Sequence, residues 1–139
     1  EVHEVRGTGR LSFKVPQFLN CDVEEDIVGG LTNTFVTEPL KFTTTDAGTL
    51  KLEPVNPPVF ARFLVTEVRP TCTLTGTYIL AGVATGKLKG STLSFEVTKA
   101  SGELKLNEEK AALKLKLTLK GGKPETGIHH PIALTGAPF

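Results

Sequence analysis

From Ala112 to Lys120 the chain reads Ala-Leu-Lys-Leu-Lys-Leu-Thr-Leu-Lys, apolar and polar side chains alternating without a break. Successive side chains of a strand point to opposite faces, so this stretch forms one dry face and one wet face. Wound as a helix of about 3.6 residues per turn, the same leucines would spread around the circumference and leave no stripe to bury. The alternation predicts a strand with Leu113, Leu115 and Leu117 inside and Lys114, Lys116 and Lys120 in water, ended by Gly121-Gly122. Lysines on a strand also discourage edge-to-edge aggregation.

The same grammar recurs upstream. Leu104 and Leu106 flank Lys105, and Asn107-Glu108-Glu109-Lys110 reads as a turn into the strand above, which predicts a hairpin between the two. Leu93, Phe95 and Val97 alternate with Ser94, Glu96 and Thr98, and Ala100-Ser101-Gly102 closes that strand. Thr75, Thr77 and Ile79 oppose Gly76, Tyr78 and Leu80, with Gly82 and Gly86 expected at bends or bulges. From Thr71 to Lys120 the expectation is a meander of four or five strands. In the first half, Leu11, Phe13 and Val15 alternate up to Pro16, while Glu1 to Arg10 reads as a polar, flexible lead-in. Phe35-Val36 and Leu40-Lys41-Phe42 flank Pro39, an edge or a bend; Asp46-Ala47-Gly48 is a turn before the Leu50, Leu52 strand; Val55-Asn56-Pro57-Pro58 is a loop. Phe60 to Val68 is apolar on both sides, as in a central strand covered on both faces or a short helix.

Composition agrees with strands. Leu, Val, Phe and Thr dominate, Met and Trp are absent, and fourteen Gly and nine Pro punctuate the chain, which favours short strands and turns over long helices. A length of 139 residues fits a single domain spanning residues 1–139. The fold class expected is an all-β antiparallel sandwich, with a small β-barrel as the alternative, because the prolines of the first half argue against an unbroken up-and-down barrel. A formal net charge of +1 gives no broad field to draw in nucleic acid, and no apolar run is long enough for a membrane-spanning helix. The chain opens at Glu1 without Met, and the expectation is a processed, secreted protein of the extracellular space or cell surface. Cys21 and Cys72 are then expected to form one disulfide, worth about 4 kcal/mol in the chain-entropy model, with two buried free thiols as the alternative.

The second half also resembles a known group. Cys72-Thr-Leu-Thr-Gly76-Thr-Tyr78, Gly82 and Gly86, the Ser101-Gly102-Glu-Leu-Lys-Leu106 stretch, the Ala111-Ala112 pair and the closing Pro131-Ile132-Ala133 are similar to exported, β-rich proteins of unknown function from soil actinobacteria. The likeness covers about the last half of the chain. It implies export and β structure and carries no activity.

Candidate chemistry is sparse. His129 and His130 are adjacent, which in a strand sends them to opposite faces, and His3 is the remaining histidine, so no metal or other cofactor is expected. Asp22, Glu24, Glu25 and Asp26 form an acidic run beside Cys21, without the Gly and the alternating spacing of a calcium loop, and read as a solvated surface. A hydrolase using Asp22, Glu24 and Asp26 is the weakest of the functional readings. Gly82-Val-Ala-Thr-Gly86-Lys87 lies among strands with no helix behind it, unlike a phosphate-cradling loop. Eight Phe, mostly at inward strand positions, and one Tyr give no sugar platform, though Tyr78 is a candidate contact. Ile128 to Phe139 is apolar and strand-compatible, interrupted by Pro131 and Pro138; either both ends of the chain pack on its own sheet, or an exchanged terminal strand lets copies associate into an oligomer or filament. The leading expectation is a non-enzymatic extracellular structural protein that self-assembles. The alternative is a binding module for a cell-wall polymer or a small apolar ligand held by Phe60, Phe63 and Phe95.

Overall fold

The computed structural model describes residues 4–15, 21–46, 48–66, 74–120, 131–136 and 139. Its strands are β1 (Glu4–Val15), β2 (Cys21–Asp26), β3 (Phe35–Val36), β4 (Leu40–Asp46), β5 (Thr49–Pro54), β6 (Val59–Val65), β7 (Gly76–Gly82), β8 (Ala84–Lys89), β9 (Thr92–Val97), β10 (Leu104–Leu106), β11 (Glu109–Lys110), β12 (Ala112–Lys120) and β13 (Ala133–Leu134). The only helical geometry among the described residues is a wide turn at Ile27–Leu31, extended at Val28, and one 3₁₀ turn at Lys99–Ser101. The chain is all-β.

The strands form a nine-stranded sheet in the order β3-β13-β1-β12-β9-β8-β5-β4, with β2 also on β1, and a four-stranded sheet in the order β11-β10-β7-β6. Both sheets curl, and together they make a half-barrel. β12 is the strand that alternation demands. It runs antiparallel to β1 over nine residue pairs, from Glu4↔Lys120 to Ser12↔Ala112, and to β9 on its other edge. Leu113, Leu115 and Leu117 are buried, and Lys114 and Lys116 are exposed.

β1 begins well before Leu11, so the expected polar lead-in is mostly strand. The alternation continues backwards with glycine at the inward positions 9 and 7, opposite Leu115 and Leu117. Those positions have no room for more: a Cβ on Gly9 would come within 2.9 Å of Leu134 and 3.0 Å of Ile27. β1 therefore uses both of its edges. β12 takes one, and the other is divided between β13 at Arg6–Gly7 and β2 at Arg10–Val15.

Three further expectations change. The Asn107-Glu108 turn forms, with both residues at positive φ, but it closes β10 onto the two-residue β11 and not onto β12. The chain then crosses to the large sheet, so the second half is divided between two sheets and is not one meander. Gly86 is no bend; it lies within β8 under the Phe95 ring, where a side chain would not fit. β6 is a strand, but it is covered on one face only: Leu64 is 55% exposed and Arg62 is also exposed. A register shift between Val59 and Ala61 turns Phe60 and Ala61 both inward, which explains the two-sided apolar pattern.

The sheets are joined through Thr37. Its N–H donates to the Ile132 carbonyl at 3.0 Å, its hydroxyl accepts from the Ile132 N–H at 2.7 Å, and the next N–H, of Glu38, donates to the Phe60 carbonyl at 2.9 Å. The buried hydroxyl is thus satisfied, as a dry position requires. Gly82, at φ 121°, makes the corner from β7 to β8 against the Glu103 backbone carbonyl. Gly82→Ala is expected to cost roughly 2–4 kcal/mol, from backbone strain plus the clash with that carbonyl. Gly90→Ala, at φ 62° in open space, is expected to cost about 1 kcal/mol. Paired urea melts measure the difference.

Candidate functional site

The residues singled out from sequence do not converge on one place. Cys72 and the side chain of Cys21 lie outside the described residues, as do His3, His129 and His130. The acidic run sits on β2, with Asp22, Glu24 and Asp26 on the outer face beside the cations of β1. Arg10 Nε meets Asp26 Oδ1 at 3.1 Å, Arg10 Nη1 lies 3.7 Å from Glu24 Oε1, and Lys14 Nζ lies 4.0 Å from Asp22 Oδ1. These carboxylates face cations across one strand step, and Glu24 and Asp26 border one open depression together with Glu25 and Arg10. Among the described residues no group of three His, Cys, Asp or Glu converges as metal ligands. Surface pairs of this kind contribute up to about 1 kcal/mol each.

Phe60, Phe63 and Phe95 are all buried in the core cluster. Phe63 packs against Phe35 with ring centroids 5.2 Å apart and stacks on Tyr78 at 6.0 Å, and Tyr78 in turn meets Phe13 at 5.7 Å. Tyr78 is therefore an interior residue joining the two sheets, and as a sugar contact it is replaced by this packing role. Gly82 to Lys87 is strand and corner, with Thr85 donating from Oγ1 to Glu103 Oε2 at 2.8 Å.

Two features remain that have the shape of working surfaces. One is a slot between β1 and β3 filled by the chain's own residues 132–135. β13 lies parallel to β1 (Arg6↔Ala133, Gly7↔Leu134) and antiparallel to β3 (Ala133↔Val36, Leu134↔Phe35). Ile132 and Leu134 are buried, and Thr135 N donates to the Gly7 carbonyl at 2.8 Å. The other is the outer face of the large sheet. Small outward residues, Ser12 and Ala112, leave a depression of about 350 Å³ walled by Arg10, Glu24, Glu96 and Lys114. Beyond it, Lys116 and Lys87 border a groove of about 510 Å³ closed on one side by Phe139, whose ring lies 5.7 Å from Lys116 Nζ. Phe139 is placed there in part by its N–H, which reaches Asp26 Oδ2 at 3.4 Å.

The slot was visible in sequence only as a strand-compatible apolar tail, since nothing in Ile132-Ala133-Leu134 names the partner strands. The outer-face lysines were legible as the wet side of β12, and their neighbours on β8 needed the register. No known protein-family model, curated protein or solved structure matches this chain.

Burial raises the pKa of the Tyr78 hydroxyl above 10.0, because the phenolate would be poorly solvated there. The folded value lies above the unfolded one, so this contribution to stability is intact below pH 10.0 and is lost as pH rises past it. Tyr78 is the only tyrosine, which makes the test direct. Phenolate absorbance should titrate above pH 10.0 in the native protein and return to the ordinary value in denaturant.

Proposed function

We propose that this chain is a non-enzymatic extracellular structural protein, a subunit that self-assembles by passing its C-terminal strand to a neighbour. The observation that carries this reading is the slot. A two-residue strand, flanked by buried Ile132 and Leu134, sits between β1 and β3 and is held on both edges by main-chain bonds. Main-chain pairing of this kind gives affinity to an added strand whichever copy supplies it. When a strand leaves one chain and enters the next, the contact is head-to-tail and extends into a filament.

The accompanying readings have the same standing. The ring contacts of Phe13 and Phe35 on the large sheet with Tyr78 and Phe63 on the small one favour a sandwich-like packing of the half-barrel. Export, the Cys21–Cys72 bridge and the kinship with exported actinobacterial proteins go together, because a single staple in a β domain suits an oxidising compartment. The absence of a catalytic role is supported by the β2 carboxylates, which are engaged with Arg10 and Lys14. The packed rings of Phe60, Phe63 and Phe95 weigh against an interior apolar ligand.

Two measurements test this. Size exclusion and negative-stain microscopy across a concentration series should show larger species growing with concentration. An excess of free peptide covering residues 131–139 should cap vacant slots and shorten them. A chain that stays strictly monomeric at high concentration overturns the proposal. Separately, denatured protein should take up no alkylating agent before reduction and two equivalents after it, one at Cys21 and one at Cys72.

A further inference from the structure

The register of the large sheet sorts the outer side chains into rows that run across the strands. Thr8 of β1 pairs with Lys116 of β12, Lys116 with Ser94 of β9, and Ser94 with Lys87 of β8. The next row reads Arg6, Thr118, Thr92 and Lys89 in the same strands. Hydroxyl and cation alternate along the first row, cations bracket paired hydroxyls in the second, and no carboxylate interrupts either. Adjacent strands lie about 4.8 Å apart, so Lys116 and Lys87 are separated by roughly 10 Å across the sheet.

The pairing of the lysines differs from place to place. Lys14, Lys41, Lys51 and Lys114 each have a carboxylate within 4.0 Å. Lys87, Lys89 and Lys116 have none among the described residues, although all three are exposed. Two grooves run over these rows and share Lys116, one of about 510 Å³ bordered by Phe139 and by Glu96, which is paired with Lys114, and one of about 540 Å³ lined by Thr8, Thr92 and Thr118.

We propose that this face of β1, β12, β9 and β8 binds a carboxylate-bearing polysaccharide, a linear polyuronate laid across the strands. Lysine ammoniums are point charges suited to single carboxylates at intervals, and the Thr and Ser hydroxyls between them match the sugar hydroxyls in both donor and acceptor character. The Phe139 ring gives one apolar wall for the C–H face of a sugar. A phosphate polymer is served better by arginine forks and by backbone N–H nests, and here the backbone of these strands is committed to the ladder. Single-stranded nucleic acid needs a series of aromatic platforms, which these rows lack.

The test is calorimetric titration of the full chain with polygalacturonate at low salt. Binding is expected, weakening as salt rises. The double variant Lys87→Gln, Lys116→Gln should lose affinity by about tenfold or more. The control Lys105→Gln, Lys110→Gln makes the same charge change on the small sheet and should stay within about twofold of the parent. Fully methyl-esterified polymer should not bind. Equal losses in the two double variants, undiminished binding of the neutral ester, tighter binding of polyphosphate or single-stranded DNA, or no binding by the parent would each overturn the proposal. Thr135 and Phe139 of the C-terminal tail border the two grooves, so the same samples are sized: the Lys87, Lys116 double variant should lose binding while its state of assembly stays that of the parent.

Discussion

The antiparallel ladder between β1 and β12 is the constraint from which the rest of the structure follows. It joins residues about a hundred positions apart in sequence and sits at the middle of the large sheet. On its inner side Leu11 meets Leu113, while glycines at 7 and 9 meet Leu117 and Leu115, so one strand supplies bulk where the other has none. The space over Gly9 is what admits Ile27 and Leu134. The slot for the C-terminal residues is therefore a consequence of the composition of β1. A one-residue slip would send every one of these side chains to the wrong face, so the register is strongly specified. Pairing so distant in sequence also costs loop entropy before it yields contacts, which makes for slow folding.

The outer side of the same ladder is organised by charge. Toward β2, Arg10 and Lys14 meet Asp26, Glu24 and Asp22, and charges of both signs are paired. Toward β8, Lys116, Lys87 and Lys89 stand among hydroxyls, and Glu96 in the neighbouring row is paired with Lys114. The net charge of +1 is a sum over the whole chain and does not report this division. Overall charge describes long-range attraction, whereas recognition depends on the arrangement of a few side chains over one or two nanometres.

Much of the fold was legible as alternation: β12, β9, β5 and the end of β1 can be drawn from the sequence with their inward and outward sides correctly assigned. The failures have specific causes. Glycine at inward positions 7 and 9 looks like flexibility when the side chains that fill its space are far away in sequence. The bulge at Val59–Ala61 shifts the phase of β6, so a one-sided strand presents a two-sided pattern. The Asn107-Glu108 turn announces a hairpin but not its length, and Asn107 itself extends the pairing by accepting from the Ile79 N–H through Oδ1 at 2.8 Å. Of the candidate surfaces, the wet lysines of β12 were legible, but their rows with β8 and β9 exist only once the register is known. Tyr78 looked like an exposed contact because its phase relative to Ile79 was visible and the direction of the core was not.

β4 is the outermost strand of the large sheet and pairs only with β5 among the described residues. Its ladder is broken by a register shift between Thr44 and Asp46, and Lys41 on its outer face is tied to Glu53. A kinked and charged margin is a poor template for another chain. Under the proposed strand exchange at the slot beside β3, this would decide the form of the product. Growth from a single adhesive margin gives thin, unbranched threads, whereas two such margins would weld the threads side by side into sheets or tangles.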